Sequence, residues 1–132
     1  LEDFCFETVL STDRNLKLLQ KAKEKGYFVR CYYILTIDPM INVLRVKARV
    51  AAGGHDVPEE KIISRYGKTL ALIKEVVKIC DICHIYDNSG DKPIRIFKKR
   101  KTELFYEECP DWHFEDIAAL TGVREMKEKN LN

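Results

Sequence analysis

A chain of 132 residues with 45% apolar and 33% charged side chains has the size and make-up of one folded domain, which excludes collagen-like, coiled-coil and low-complexity classes. Lys and Arg number 23 against 21 Asp and Glu, and the resulting +2 argues against a dedicated nucleic-acid binder. No apolar run reaches the roughly 18 residues of a membrane helix, and an odd number of cysteines, five, set mostly in apolar stretches, fits a reduced cytoplasmic protein.

Phe4 to Val9 reads as a short buried strand. Leu16, Leu19 and Ala22 then recur at helical spacing from Arg14 to Lys25, with Asp13 as cap and Gly26 as stop. Tyr27 to Ile37 is nearly continuous in apolar residues, the pattern of a strand buried on both faces in a parallel sheet. Asp38-Pro39 opens a helix that runs to Ala52 and ends at Gly53-Gly54. Asp56 is placed to cap the next helix, with Glu59 three residues on, and Ile62, Tyr66, Leu70, Ile73 and Val77 carry that helix to Cys80. Ile82 to Tyr86 is a third strand, closed by Asp87-Asn88-Ser89-Gly90. Ile94 to Phe97 and Leu104 to Tyr106 form a hairpin, Asp111 to Thr121 a helix stopped by Gly122, and the polar tail is expected to fray. Strands alternating with helices imply an α/β layered fold with a mostly parallel sheet, in one domain spanning residues 1–132.

Three local patterns suggest chemistry and are set aside. Cys80-Asp81-Ile82-Cys83-His84 has the spacing of a haem attachment site but straddles a helix end and a strand start, and with Cys109 and His113 it makes no ordered zinc set, so buried thiols are expected and no metal. Gly67-Lys68-Thr69 resembles the end of a phosphate loop, but Ile62 stands where the pattern needs a glycine and the segment is helical. Lys92 to Lys101 holds six basic residues and no acidic one, with Phe97 the only ring among them to stack a base, so a solvated hairpin is expected.

In parallel sheets ligands gather at the carboxyl ends of the strands, which here carry Glu7, Thr8 and Ser11, then Asp38, then Asp87, Asn88 and Ser89. Arg45 and Arg49 are four apart and share a helix face. A joint of Gly53-Gly54-His55-Asp56 follows, and the next helix carries Arg65 and Lys68. Two jointed helices presenting cations to one side would clamp a polyphosphate, because guanidinium forks match the charge spread over phosphate oxygens. The other reading of the same spacing is a solvated helix pair with surface ion pairs, for instance Arg65 with Glu59 or Glu60.

Phe6-Glu7-Thr8-Val9-Leu10-Ser11, Ala22-Lys23-Glu24-Lys25-Gly26-Tyr27, Asp38 to Val46, Arg49 to Pro58 with its Gly-Gly-His-Asp-Val-Pro core, Ile62, Arg65-Tyr66 and Asp87-Asn88-Ser89-Gly90 resemble, in order, the successive motifs of the zeta-toxin-like P-loop kinases, also described as predicted ABC-type ATPases. The resemblance runs from about Phe4 to Gly90 and fades beyond. It implies an incomplete P-loop-kinase-like fold: a family-like core over residues 1–90 with a lid over 39–80, then the hairpin, helix and tail over 91–132. It implies an ATP- and Mg²⁺-dependent transferase, a kinase for a small metabolite, in the best-known branch an amino sugar nucleotide. Arg49 and Arg65 would be lid arginines on the ATP phosphates, supported by Arg45 and Lys68, with Asn88 and Ser89 near the adenine. Glu7, Thr8, Ser11 and His55 would lie on the substrate side. The family's Gly-rich loop ending in Gly-Lys-Ser or Gly-Lys-Thr and its catalytic acid should precede the first strand, and these 132 residues hold neither. Lys68-Thr69 stands where the family tends to have Arg-Ser, a point charge in place of a fork. The expectation is therefore the C-terminal portion of such a kinase, inactive alone and at most weakly nucleotide-binding, with a toxin role and antitoxin open. The alternative is a degenerate, non-catalytic binding or protein-interaction module that self-associates or takes a protein partner through an exposed sheet edge.

Overall fold

The computed structural model describes Asp3, Cys5 and residues 13–129. The elements are α1 (Asp13–Glu24), β1 (Arg30–Leu35), α2 (Pro39–Ala51), α3 (Glu59–Ile79), β2 (Ile82–Asp87), β3 (Ile94–Arg100), β4 (Glu103–Tyr106), α4 (Phe114–Thr121) and β5 (Lys127–Glu128). The expected strand over Phe4 to Val9 lies outside the described residues. Among the described residues no helix is long and apolar enough to cross a membrane.

The architecture is α/β, with a five-stranded sheet in the order β1-β2-β3-β4-β5. β1 and β2 are parallel, joined through α2 and α3, a crossover of the kind parallel strands require. β3 runs antiparallel to both β2 and β4, and β5 parallel to β4. The sheet is thus mixed where a mostly parallel one was expected. Beyond the expected β3–β4 hairpin, the connection over residues 88–93 is too short for a parallel crossover and returns β3 antiparallel on β2. The tail does not fray at residues 127–128, because β4 offers Phe105 and Tyr106 as register partners.

One face of the sheet carries the core. Leu16 and Ala22 of α1, Ile73, Val76 and Val77 of α3, and Ile117 and Leu120 of α4 pack with Leu35, Cys83, Ile85, Ile96 and Phe97. Fully burying a side chain of that size contributes about 1.5–3 kcal/mol. β1 alternates exposed and covered residues along Arg30–Leu35, which corrects the expected burial on both faces. Its apolar run misleads because Tyr32 and Ile34 are apolar yet 62% and 61% exposed. β3 departs from simple alternation. Ile85 faces Phe97 while the next residue, Tyr86, faces Arg95, so Ile96 is an extra residue in a β-bulge. The bulge puts both Ile96 and Phe97 into the core at 0% and 1% exposure. Lys99 then points inward, and its ammonium donates to Val77 O at 2.7 Å and Lys78 O at 3.3 Å, closing the C-terminus of α3.

Helix ends follow local chemistry. Asp38 Oδ1 accepts from Met40 N at 2.8 Å and Pro39 opens α2, as the sequence predicts. At the other end Gly54 N donates to Arg49 O at 2.7 Å and Gly53 N to Val50 O at 3.0 Å. With Gly53 at φ +97° this is a Schellman stop, a hydrogen-bonded end and not the flexible joint expected from two glycines. α3 starts at Glu59 after Pro58 with no side-chain cap, so Asp56 does not take the capping role assigned to it. α4 starts three residues later than Asp111, at Phe114, where Asp116 Oδ2 accepts from His113 N at 2.9 Å.

Candidate functional site

A groove of about 1360 Å³ runs the length of the edge strand β1, from Arg30 to Leu35, and is walled by residues of α1, α2 and α3, with Thr36 and Asn88 at the end where β1 and β2 finish. Arg45 and Arg49 enter it from α2 and Arg65 from α3, together with Asn42, Tyr66 and Asn88. Asn42, Arg45 and Arg49 recur three and four residues apart, which stacks them on one face of α2. The Schellman stop fixes the carbonyl of Arg49, and hence the last turn that presents its side chain.

The strand tips are tied to the helices by short hydrogen bonds. Tyr66 Oη donates to Thr36 O at 2.7 Å. Burial first, then the carboxylates of Asp38 and Asp87, raise the Tyr66 phenol above its ordinary value and keep it a donor. Thr36 Oγ1 donates to Asp38 O at 3.1 Å, with Asn42 Oδ1 at 3.2 Å. Ser89 Oγ donates to the buried Asp87 at 2.6 Å and accepts from Ile37 N at 2.9 Å, so this hydroxyl locks the two strand-end loops together. Asn88 N donates to Leu35 O at 2.8 Å. Arg45 Nη2 lies 3.4 Å from Ser89 O.

Arg49 and Arg65 make no ion pair or hydrogen bond through their side chains among the described residues, and the surface pair of Arg65 with Glu59 or Glu60 is not formed. Glu59 instead lies 3.9 Å from Lys47. The only lining carboxylate among the described residues is Asp3. Arg45, Arg49 and Arg65 are all exposed and line the same groove, with few carboxylates among its described lining residues.

The other sequence-derived candidates distribute unevenly. Lys68 is exposed on α3 and does not line the cavity, and His55 is exposed in the loop between α2 and α3. Ser89 serves the loop just described. Glu7, Thr8 and Ser11 lie outside the described residues. Gly67-Lys68-Thr69 lies within α3, as expected, and Thr69 Oγ1 donates back to Arg65 O at 2.7 Å.

The structure adds Asn42, Tyr66 and Cys31 to the candidates the sequence offers. Asn42 is legible from its spacing, three residues before Arg45 on the same face. Tyr66 falls in the apolar stripe of α3, which hides the role of its hydroxyl. Cys31 faces Cys83 across the β1/β2 ladder and lines the cavity. The neighbouring Cys80 thiol, then the Cys83 thiol, pull its pKa down, and the same neighbours with burial push Cys80 and Cys83 up. Such a convergence of thiols from residues 31, 80 and 83 is tertiary and has no local signature.

No family model matches the chain, and no solved structure matches it significantly. An uncharacterized protein of Haemophilus influenzae is 38% identical over 63 residues, which cover 48% of this chain and 45% of that protein. The match therefore spans less than half the length of that relative, and it relates about half of this chain to a protein whose description names no activity.

Proposed function

We propose that this chain is the phosphate-gripping portion of an ATP-dependent kinase for a small metabolite, of the zeta-toxin-like P-loop kind. The observation that carries the reading is that Arg45 and Arg49 of α2 and Arg65 of α3 line one groove beside β1, without carboxylate partners for Arg49 and Arg65 among the described residues. The β1-α2-α3-β2 crossover is compatible with the layout of that fold, in which the parallel pair would form the core. In this reading Arg49 and Arg65 grip the transferable phosphates, Arg45 supports them, and Asn88 lies toward the base. In this reading Mg²⁺ enters with the nucleotide, since three guanidinium groups repel a bare divalent ion.

The test is titration of the chain with ATP and with inorganic tripolyphosphate, followed by NMR. Weak binding is expected, with a Kd of about 1 mM. Loss of a charge-assisted contact in Arg49→Ala or Arg65→Ala should weaken it by about tenfold or more. No phosphoryl transfer by the chain alone is expected, because its 132 residues hold no Gly-Lys-Ser/Thr phosphate loop preceding a helix. Equal binding by the wild type and the double variant, or robust metal-dependent ATP turnover, would refute this assignment. A second reading, a non-catalytic interaction module, draws on Ile34 and Leu44, which are 61% and 62% exposed. A stable dimer in sedimentation that dissociates on Ile34→Glu would favour it.

A further inference from the structure

The face of the sheet turned away from the α1, α3 and α4 core is an aromatic row. Tyr32 of β1 and His84 of β2 are register partners, and their rings stack at 5.1 Å with planes 10° apart. Tyr86 continues the row from His84 at 6.3 Å and 28°. Farther across, Lys98 faces His84 and Phe105 faces Lys98, so β4 adds a ring to the same face.

Cations frame this row. Lys98 Nζ and Lys129 Nζ lie 6.0 and 5.8 Å from the centre of the Phe105 ring, and Arg30 and Arg100 flank the row at the ends of β1 and β3. The Lys129 ammonium beside it, then burial, Arg95 and Arg100, hold Lys98 below the ordinary lysine value. Burial first, then Arg95, Lys98 and Lys129, hold His84 below its ordinary value, so the imidazole is neutral at pH 7 and stacks as a flat uncharged ring. Carboxylates are scarce. Glu107 is taken by Arg95 at 3.1 Å, and Glu103 stands opposite Arg100 at the hairpin end.

We propose that this face binds single-stranded RNA, with bases stacked on the outer face of Tyr32, on Tyr86 and on Phe105, with His84 packed against Tyr32 as its support, and phosphates met by Arg30, Lys98, Arg100 and Lys129. Three strand spacings separate Tyr32 from Phe105, about 14 Å, a span for about three extended nucleotides. The rings need unpaired bases, which a duplex keeps inside its stack. The hydroxyls of Tyr32 and Tyr86 make no hydrogen bond among the described residues, which leaves them open to ribose 2′-hydroxyls and selects RNA over DNA. Sequence reasoning counted only Phe97 as a stacking ring. Phe97 is buried in the core, and the rings that serve come from three other places in the chain.

The experiment is fluorescence anisotropy of the full chain with labelled oligo-U, oligo-dT and an RNA duplex across a salt series. Micromolar binding of oligo-U is expected, with log K falling against log salt at a slope of about −2 to −3, the value for three or four phosphates on a single strand. Tyr32→Ala should weaken binding about tenfold, and Lys98→Glu should weaken it and make the slope shallower by about one or more. Lys17→Glu, on the far side of α1, should bind as the wild type does. Tyr32 is 62% exposed, so its variant keeps the fold, which circular dichroism verifies. No binding at 50 mM salt, wild-type affinity in Tyr32→Ala, or equal or tighter binding of oligo-dT or duplex would overturn the proposal.

Discussion

Replacing Gly54 by alanine tests whether the Gly-Gly turn stops α2 rigidly or leaves a loose joint. An alanine Cβ at that position would sit 2.9 Å from Arg49 O and 3.3 Å from Arg49 C. Both are backbone atoms, so no side-chain rotation relieves the contact, and the chain must shift and stretch the 2.7 Å bond from Gly54 N to Arg49 O. A lost backbone hydrogen bond costs about 1 kcal/mol net and forced overpacking adds about as much, giving about 2 kcal/mol. For a domain of this size that is a fall in Tm of about 6–10 °C. Gly53→Ala, at φ +97°, should cost about 1–2 kcal/mol through backbone strain alone. Gly67→Ala should move the other way by about 0.5–1 kcal/mol, since Gly67 lies inside α3 with no atom within 4 Å of an added Cβ. Urea and thermal unfolding followed by far-ultraviolet circular dichroism measure all three. Gly54→Ala as stable as the wild type, or Gly67→Ala falling with it, would refute the reasoning.

Glu107→Gln strips the carboxylate from Arg95, whose own side chain is 22% exposed, and should cost about 2–3 kcal/mol in urea unfolding. Lys99→Met removes the ammonium from the last carbonyls of α3 and should cost about 1–2 kcal/mol with an unchanged urea slope. Burial pushes the Asp81 carboxyl up, but the Lys23 ammonium at 2.7 Å and the Val29 amide at 2.8 Å outweigh it and hold it below its ordinary 3.8. Its stabilising effect is thus complete above the unfolded value and lost as pH falls through the folded one, so the stability gap between the wild type and Asp81→Asn should shrink below about pH 4, and a pH-independent gap would argue against it. Iodoacetamide footprinting by mass spectrometry should mark the exposed Cys5 first in the native protein and the half-buried Cys31 and Cys109 more slowly, and should reach the buried Cys80 and Cys83 only on unfolding.

What could be read from the sequence is what short-range chemistry dictates. Asp38-Pro39 announces α2 because a carboxylate cap and a proline at the first turn serve that position whatever packs nearby. Gly53-Gly54 marks its end for the same reason, although only the hydrogen bonds show that the end is fixed. Arg45 and Arg49 could be put on one face by spacing, whereas their meeting with Arg65 depends on how α2 and α3 dock. The mixed sheet, the strand at 127–128 and the cover on one side only of β1 are decided by partners distant in sequence. Asp56 shows the limit of pattern reading: its spacing to Glu59 fits a capping box, yet α3 begins after Pro58 without it.

The extra residue in β3 acts as a lock against slippage. Slide the strand by one position to iron the bulge flat, and Ile96 would meet Tyr86 on the open side while Arg95 would fall opposite Asp87, on the inner side. That mis-threaded hairpin would trade a core isoleucine for a guanidinium torn from Glu107, so a nascent chain is steered to one threading. An insertion or deletion is tolerated more readily in the turn over residues 88–93 than inside β3, where a change of one residue would invert the strand's two sides unless the kink absorbed it.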